Sequence, residues 1–456
     1  MIPPAPGALG DVTLIGPRGM PALESARDLL ERNGVPHRVV DPGDDPLGRY
    51  LDRTALHGRR PPLVLLPDGG EMEGPGPFAE PVPGRVDMRR RDLYLASSRW
   101  RTELAGRVGL PTRPRQGAYD VLVVGAGPAG LTAAVYAASE GLRTLVVERR
   151  APGGQAGTSS RIENYPGFPE GIGGHELAAR TYAQAVRLGA EFLVGVDVAR
   201  ARRVPDGTFR IDLSSGATIE SRSGVLATGV AYRRLAADGV ERLEGRGVHY
   251  GSPSGAAASR HDGHVVLVGG ANSAGQAALF LAERAERVTM VLRADALDRG
   301  MSRYLVARVQ AHPRIEVRPC TEVVRAEGAE SLECIVVRGP RGEDRLEVRA
   351  AFILIGGEPL TAGVEDWLRT DARGYFLTGP DLRQPGGGPA WPLVREPLFL
   401  ESSQPGLFVA GDVRHGSVKR VASAVGEGAM AIALVHRHLA KAAEGGRPSR
   451  DGAAPP

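Results

Sequence analysis

The chain has 456 residues, 42% of them hydrophobic, and a formal net charge of only +4. That length allows about three domains with real apolar cores, and no apolar run approaches the roughly 20 residues that span a bilayer. All but Lys419 and Lys441 of the 57 basic residues are arginine, dispersed without a basic stripe, which argues against a nucleic-acid surface. Met1–Gly10 carries neither a basic leader nor an apolar core, so the reading is a soluble, cytoplasmic protein. Cys320 and Cys334, the two cysteines, lie fourteen apart in a strand-like stretch and read as small buried residues, not as a disulfide framework or a thiol centre.

Taken in chain order, Val12–Gly16 is a predicted strand and Pro17–Pro21 a turn. Leu23, Ala26, Leu29 and Leu30 then recur at helical spacing until Asn33-Gly34. His37–Val40 and the proline-led Leu63–Leu66 add two strands, making a small α/β unit over residues 1–110 that closes with a polar helix, Arg91–Val108. A linker, 111–118, follows.

The strand Val121–Val124 runs into Gly125-Ala126-Gly127-Pro128-Ala129-Gly130, after which Leu131, Ala134, Val135 and Ala138 keep helical spacing. Strand, glycine turn and helix together form a dinucleotide fingerprint. Gly127 lets a pyrophosphate approach the backbone, Gly130 lets helix pack on strand, and the helix start offers unpaired amides to phosphate. The next strand, Thr144–Val147, ends in Glu148, eighteen residues past Gly130, where a carboxylate accepts from ribose hydroxyls.

A second fingerprint, Gly269-Gly270-Ala271-Asn272-Ser273-Ala274, follows the strand Val265–Val268 and opens a helix read as Gln276–Arg284. Ala271 replaces the central glycine and narrows the approach to a pyrophosphate. The strand Val288–Leu292 ends in Arg293, where an NAD-preferring site places a carboxylate. An arginine there suits the extra phosphate of NADP, an exposed arginine being the plainer alternative. Further on, Thr378–Pro397 reads as an irregular stretch. Its Trp391 is read as surface packing, with cover over a nicotinamide or a partner as the alternative. Small and apolar residues from Val421 to Val435 form the last helix.

From Tyr119 to about Ala440 the motifs together resemble the thioredoxin reductase type of flavoprotein. They are Gly125–Gly130, Gly153-Gly154-Gln155, Glu163-Asn164-Tyr165-Pro166-Gly167, Ala227-Thr228-Gly229, Gly269–Ala274, Gly411-Asp412 and Arg420-Val421-Ala422. The resemblance implies an α/β fold of two Rossmann-like domains, an NADPH domain (233–355) inserted into a split FAD domain (119–232 and 356–443), with a disordered tail at 444–456. It implies FAD and NADPH as cofactors and a homodimer. Gly154, Gln155 and Asn164 would border the isoalloxazine and ribityl chain, while Ala227, Thr228 and Gly229 close the adenine side. Asp412 beside Gly411 would accept from ribityl hydroxyls, and the amides of Arg420, Val421 and Ala422 would face the pyrimidine edge. The N-terminal unit resembles the thioredoxin and glutaredoxin fold, with Pro17-Arg18-Gly19-Met20 at the redox turn and Pro62 as the cis-proline.

In such flavoproteins a Cys-x-x-Cys follows a Gly-x-Gly-Val segment, yet here Gly245-Arg246-Gly247-Val248 leads into His249-Tyr250-Gly251-Ser252-Pro253-Ser254. Gly251 and Ser254 stand at the sulfur positions, and neither forms a mixed disulfide. His249 and Tyr250 are candidate proton donors, although a loop histidine and a packed tyrosine are the preferred reading. The sequence therefore predicts an FAD-dependent oxidoreductase, without metal or nucleic acid, that passes electrons from NADPH to a small molecule, oxygen or a partner redox protein. A non-catalytic docking module and a biosynthetic oxidase or monooxygenase are the alternatives.

Overall fold

The computed structural model describes residues 11–42 (except Arg18), 58–78, 88–251 (except Ser160, Glu163 and Gly245), 263–361, 367–383 and 390–445. Ser254, Glu163, most of the segment between the second and third strands, the middle of 378–397 and the end of the tail lie outside them.

The N-terminal unit is a four-stranded sheet ordered β2-β1-β3-β4, from β1 (Val12–Ile15), β2 (His37–Val40), β3 (Leu63–Leu65) and β4 (Glu71–Met72). β2 runs parallel to β1 and β3 antiparallel to it. Helix α1 (Pro21–Arg32) buries the apolar stripe read from its spacing, Leu23, Ala26, Leu29 and Leu30, each fully inaccessible. It stops where the Asn33 side chain turns back to the Leu29 carbonyl (2.7 Å) and Gly34 takes φ +69°, a conformation glycine adopts without penalty. The Pro61–Pro62 bond is cis.

Helix α2 (Met88–Arg107) differs from its sequence reading in role. A helix this polar reads as a solvated spacer, but Ser97, Ser98, Arg101 and Thr102 are buried. Arg101 Nη2 lies 2.5 Å from Asp197 Oδ2, the Ser98 hydroxyl donates to the same oxygen (2.5 Å), and the Tyr94 hydroxyl donates to Oδ1 (2.8 Å). Thr102 Oγ1 bonds the Gly195 carbonyl at 2.7 Å. A Cβ on Gly195 would sit 2.5 Å from Ala105 Cβ, so the helix presses directly on the following lobe. The 111–118 segment is likewise tied down, with the Pro111 carbonyl accepting from Val194 N–H at 2.8 Å.

That lobe is a sheet ordered β7-β6-β5-β10-β9-β8, with β21 also paired to β10. Its strands are β5 (Ala118–Val124), β6 (Thr144–Glu148), β7 (Glu191–Val194), β8 (Val198–Arg203), β9 (Phe209–Leu213), β10 (Thr218–Leu226) and β21 (Leu407–Val409). β5, β6, β7, β10 and β21 are mutually parallel, and buried aliphatic residues fill β5 and β6 as parallel strands require. Helices α3 (Pro128–Ser139), α4 (Gly174–Arg187) and the C-terminal α7 (Val421–Gly445) pack on the sheet; the last extends ten residues past the stretch read from spacing.

Between the two halves of that lobe a second one is inserted. The chain leaves through β11 (Val230–Tyr232) and returns through β20 (Gly357–Pro359), which pair antiparallel. The inserted sheet is all parallel in the order β12-β19-β13-β14-β15, from β12 (Val248–Tyr250), β13 (His264–Val268), β14 (Arg287–Val291), β15 (Ile315–Arg318) and β19 (Ala350–Ile353). Helices α5 (Asn272–Ala282) and α6 (Arg303–Ala311) cover it, beside an antiparallel meander of β16 (Glu322–Glu327), β17 (Cys334–Gly339) and β18 (Gly342–Glu347). Helix α5 begins four residues before its predicted start because Ala271 is already its extended N-cap.

Burial alone would push the Asp197 carboxyl up, but Arg101 and Arg149, with the Ser98 and Tyr94 hydroxyls, outweigh it and hold it below the usual carboxylate range. Removing one partner leaves a buried uncompensated charge, so Arg101→Ala should lower the unfolding free energy by about 3–5 kcal/mol in urea titrations. A carboxyl depressed in the fold contributes fully above its ordinary value, about pH 4, and loses that contribution as pH falls towards the folded value. Asp197→Asn should therefore flatten the acid limb of the stability–pH curve.

Candidate functional site

Each fingerprint sits at a topological switch point. After β5 the chain crosses through α3 to β6 on one side, while β10 flanks β5 on the other, and β13 stands in the same relation to β14 and β19. Crevices at the carboxyl ends of such strands are where open α/β sheets bind ligands.

Gly125 turns at φ +99°, and a Cβ there would lie 2.4 Å from the Ala227 carbonyl oxygen of the neighbouring strand end. Gly130 is closed in the same way, since its Cβ would be 1.8 Å from Gly125 O. Gly127 is different. It caps α3 in extended conformation without a side-chain bond, and its Cβ would meet only Gly154 Cα, at 3.9 Å. With Pro128 at the first helical position, the amides of Ala129 and Gly130 have no intrahelical acceptor and face an open cradle. Opposite runs the Gly153–Gln155 turn. Gly153 N–H donates to the Ala126 carbonyl (2.7 Å), Gly154 takes φ +54°, and Gln155 Nε2 donates to the Val230 carbonyl (2.5 Å).

Glu148 ends β6 as predicted, buried, and its carboxylate accepts from Ala126 N–H (2.7 Å) and Arg150 N–H (2.8 Å). It braces the fingerprint itself, with lone pairs left for a ribose. Thr228 Oγ1 donates to Leu360 O (2.9 Å), and Leu360 N–H donates to Gly229 O, so Ala227–Gly229 closes the seam where the chain leaves the lobe. Asn164 is exposed.

Gly411 N–H donates to Glu427 Oε2 (2.7 Å), and Glu427 Oε1 pairs with Arg414 (2.6 Å), which ties the Gly411-Asp412 turn to α7. Sequence reasoning missed this pair because the two residues lie thirteen apart and meet only when α7 packs on the turn. Asp412 is half-buried and its carboxylate receives no hydrogen bond among the described residues; burial pushes its pKa up, against the pull of Lys419. Lys419 Nζ donates to the Asp412 carbonyl and stands 4.4 Å over the Tyr375 ring. One signal for it existed, since it is one of two lysines in a chain that otherwise uses arginine. The first intrahelical bond of α7 runs from Ala424 to Arg420 O, which leaves the Val421 and Ala422 amides free at the helix start. An open glycine cradle, a carboxylate without protein donors and two helix N-termini fit a flavin dinucleotide.

In the inserted lobe Gly269 repeats the Gly125 geometry, with φ +140° and a Cβ position 2.3 Å from Leu354 O. Gly270 approaches Leu292, Ala274 is buried, and Asn272 Oδ1 accepts from Ser302 N–H (2.7 Å), joining the starts of α5 and α6. Ala271 and Ser273 flank this first turn. Arg293 is exposed and makes no ion pair among the described residues.

His249 stacks on Phe352 (centroids 5.2 Å apart). Tyr250 lies under Arg234, its hydroxyl accepts from Leu235 N–H (2.9 Å), and burial raises its pKa. Gly251 is buried at φ +89°, its N–H on Ile353 O (3.1 Å). Trp391 donates to the Arg395 carbonyl and packs against that guanidinium, which grips the buried Glu401. Among the described residues no helix is long and apolar enough to cross a membrane.

Residues 119–428 match the pyridine nucleotide-disulphide oxidoreductase family. The thioredoxin reductase of Treponema pallidum is 35% identical over 315 residues, covering 69% of this chain and 94% of its own. That of Bacillus subtilis is 31% identical over 325 residues, covering 70% and 95%. Among solved structures, Lactococcus lactis thioredoxin reductase superposes with a TM-score of 0.62 at 28% identity over 71% of this chain and 99% of its own. The chain belongs to the pyridine nucleotide-disulphide oxidoreductase family. Within it, this protein is a thioredoxin reductase-like flavoenzyme, an oxidoreductase that uses FAD and NADPH.

Two neighbouring glycines separate binding from folding. Gly127→Ala should leave the melting temperature of the apoprotein unchanged and abolish flavin retention on a desalting column. Gly130→Ala, overpacked against Gly125 O, should instead destabilise the fold by about 1–3 kcal/mol.

Proposed function

We propose that this flavoenzyme delivers the electrons of NADPH to an acceptor other than a disulfide of its own chain. The chemistry that bound FAD would supply is hydride uptake from NADPH and release of the electrons to the acceptor. What the chain supplies is grip and orientation. Gly125, Gly127, Pro128, Ala129, Gly130 and Glu148 hold the adenosine pyrophosphate, Asp412 accepts from the ribityl chain, and Val421 and Ala422 present amides to the flavin's pyrimidine edge. There a helix N-terminus stabilises negative charge. Gly269–Ala274 receives the dinucleotide of NADPH, and Arg293 meets its ribose phosphate.

One observation carries this reading. Gly251 follows the strand Val248–Tyr250 and the Gly245-Arg246-Gly247-Val248 segment, after which the resemblance expects a redox cysteine, and the chain's two cysteines, Cys320 and Cys334, lie elsewhere in the sequence and are free. The relatives are called thioredoxin reductases; this chain lacks the dithiol through which a thioredoxin would be reduced. We further read residues 1–110 as a cysteine-free thioredoxin-like unit, from the order β2-β1-β3-β4 of its sheet.

Mixing the flavin-loaded protein with NADPH under argon should bleach the flavin within seconds, and NADH should do so far more slowly. The protein should then reduce an artificial dye or quinone while leaving thioredoxin and insulin disulfides untouched. A flavin that stays oxidised would favour a non-catalytic binding role, and turnover of thioredoxin would overturn the choice of acceptor.

A further inference from the structure

The C-terminal turn of α1 reaches out of the N-terminal unit onto the segment that borders the flavin cradle. Arg32 Nη2 donates to the Gly154 carbonyl at 2.9 Å and lies 3.5 Å from that of Ala151, and Asn33 Nδ2 donates to the Arg150 carbonyl at 2.9 Å. A planar guanidinium is suited to holding two carbonyls at once. These three carbonyls belong to one strand-to-helix passage, 150–155, whose Gly154 packs directly on Gly127: a Cβ on Gly154 would sit 2.9 Å from Gly127 Cα. Asp28 stands 3.8 Å from both Arg32 and Arg150, which holds the two arginines in one charge cluster at the seam. The contact is not a loose surface encounter. Asn33 is only 3% exposed, and the same unit is fixed to the lobe by the buried Arg101–Asp197 pair some distance along α2.

We propose that the N-terminal unit is a working part of the flavin site, with Arg32 as a positioning residue that holds the Gly153–Gln155 turn against the cofactor. The inference rests on the assignment of FAD to the Gly125–Gly130 cradle. Without Arg32 the turn keeps its own bonds to Ala126 and Val230 but loses the donors that fix the Gly154 peptide from outside. That peptide is the side of the cradle facing Gly127, so a shift there is felt by the bound ring and not only by the fold.

Arg32→Met keeps the packed stem and removes the donors. The dissociation constant for FAD, measured by titrating apoprotein of the full chain, should rise roughly tenfold, the size a lost charge-assisted hydrogen bond carries. The visible absorption band and midpoint potential of the flavin that does bind should shift, while the apoprotein stays folded, its melting temperature lowered by a few degrees at most. Arg32→Lys should recover part of the affinity, and Arg27→Ala, on the exposed side of the same helix, should change nothing. Wild-type affinity, spectrum and potential in Arg32→Met overturn the proposal, as does an equal loss in Arg27→Ala. If Arg32→Met does not fold, hydrogen exchange on the wild type decides: FAD should protect the amides of residues 32–35 together with those of 150–158, and protection confined to the latter overturns it. A wild-type chain that takes up no FAD refutes the cofactor assignment itself, and is read apart from any variant.

Discussion

At both glycine fingerprints a carbonyl oxygen of the neighbouring strand end occupies the volume where a side chain would begin. Ala227 O fills it at Gly125 and Leu354 O at Gly269. Both turns are thereby forced into the left-handed region and into contact with the strand across the switch point, so the following helix starts against the sheet with its amides facing outward. Everything that concerns nucleotides follows from this repeated arrangement. It aims α3 and α5 and leaves Gly127 as the one position of the first loop with room beside it.

The two lobes then diverge in what surrounds the turn. In the split lobe a second helix start, that of α7, and the half-buried Asp412 converge on the cradle, so charge of both signs is matched there. In the inserted lobe Ala271 is the extended N-cap of α5, and the side chain of Asn272 is spent on the Ser302 amide. Just past β14 the exposed Arg293 makes no ion pair among the described residues.

Much of this was legible in the sequence because the relevant signals are local. A strand, a glycine turn and a helix are contiguous, so their spacing defines them: the boundaries of β6, β13 and α1 fall within a residue or two of their predicted positions, and β5 begins three residues earlier than predicted. Helix α5 was placed late because its first turn consists of fingerprint residues read as loop. What spacing could not reveal is pairing across long separations. Glu427 under Gly411, Arg32 on Gly154 and Asp197 under Arg101 each depend on which surfaces meet after the lobes assemble. Helix α2 is the clearest case, since its serines, threonine and arginine imply a wet surface until Asp197 is brought against them.

That buried pair also bears on how the molecule compares with the family, whose model matches only residues 119–428. Trimming the gene back to that portion would not recreate one of the family's members. It would uncover Asp197 and Gly195, unpin the backbone at Val194, and strip the support from the peptide beside Gly127. The leading quarter of the chain is part of what holds the nucleotide lobe in shape, and its removal would leave an unfinished wall.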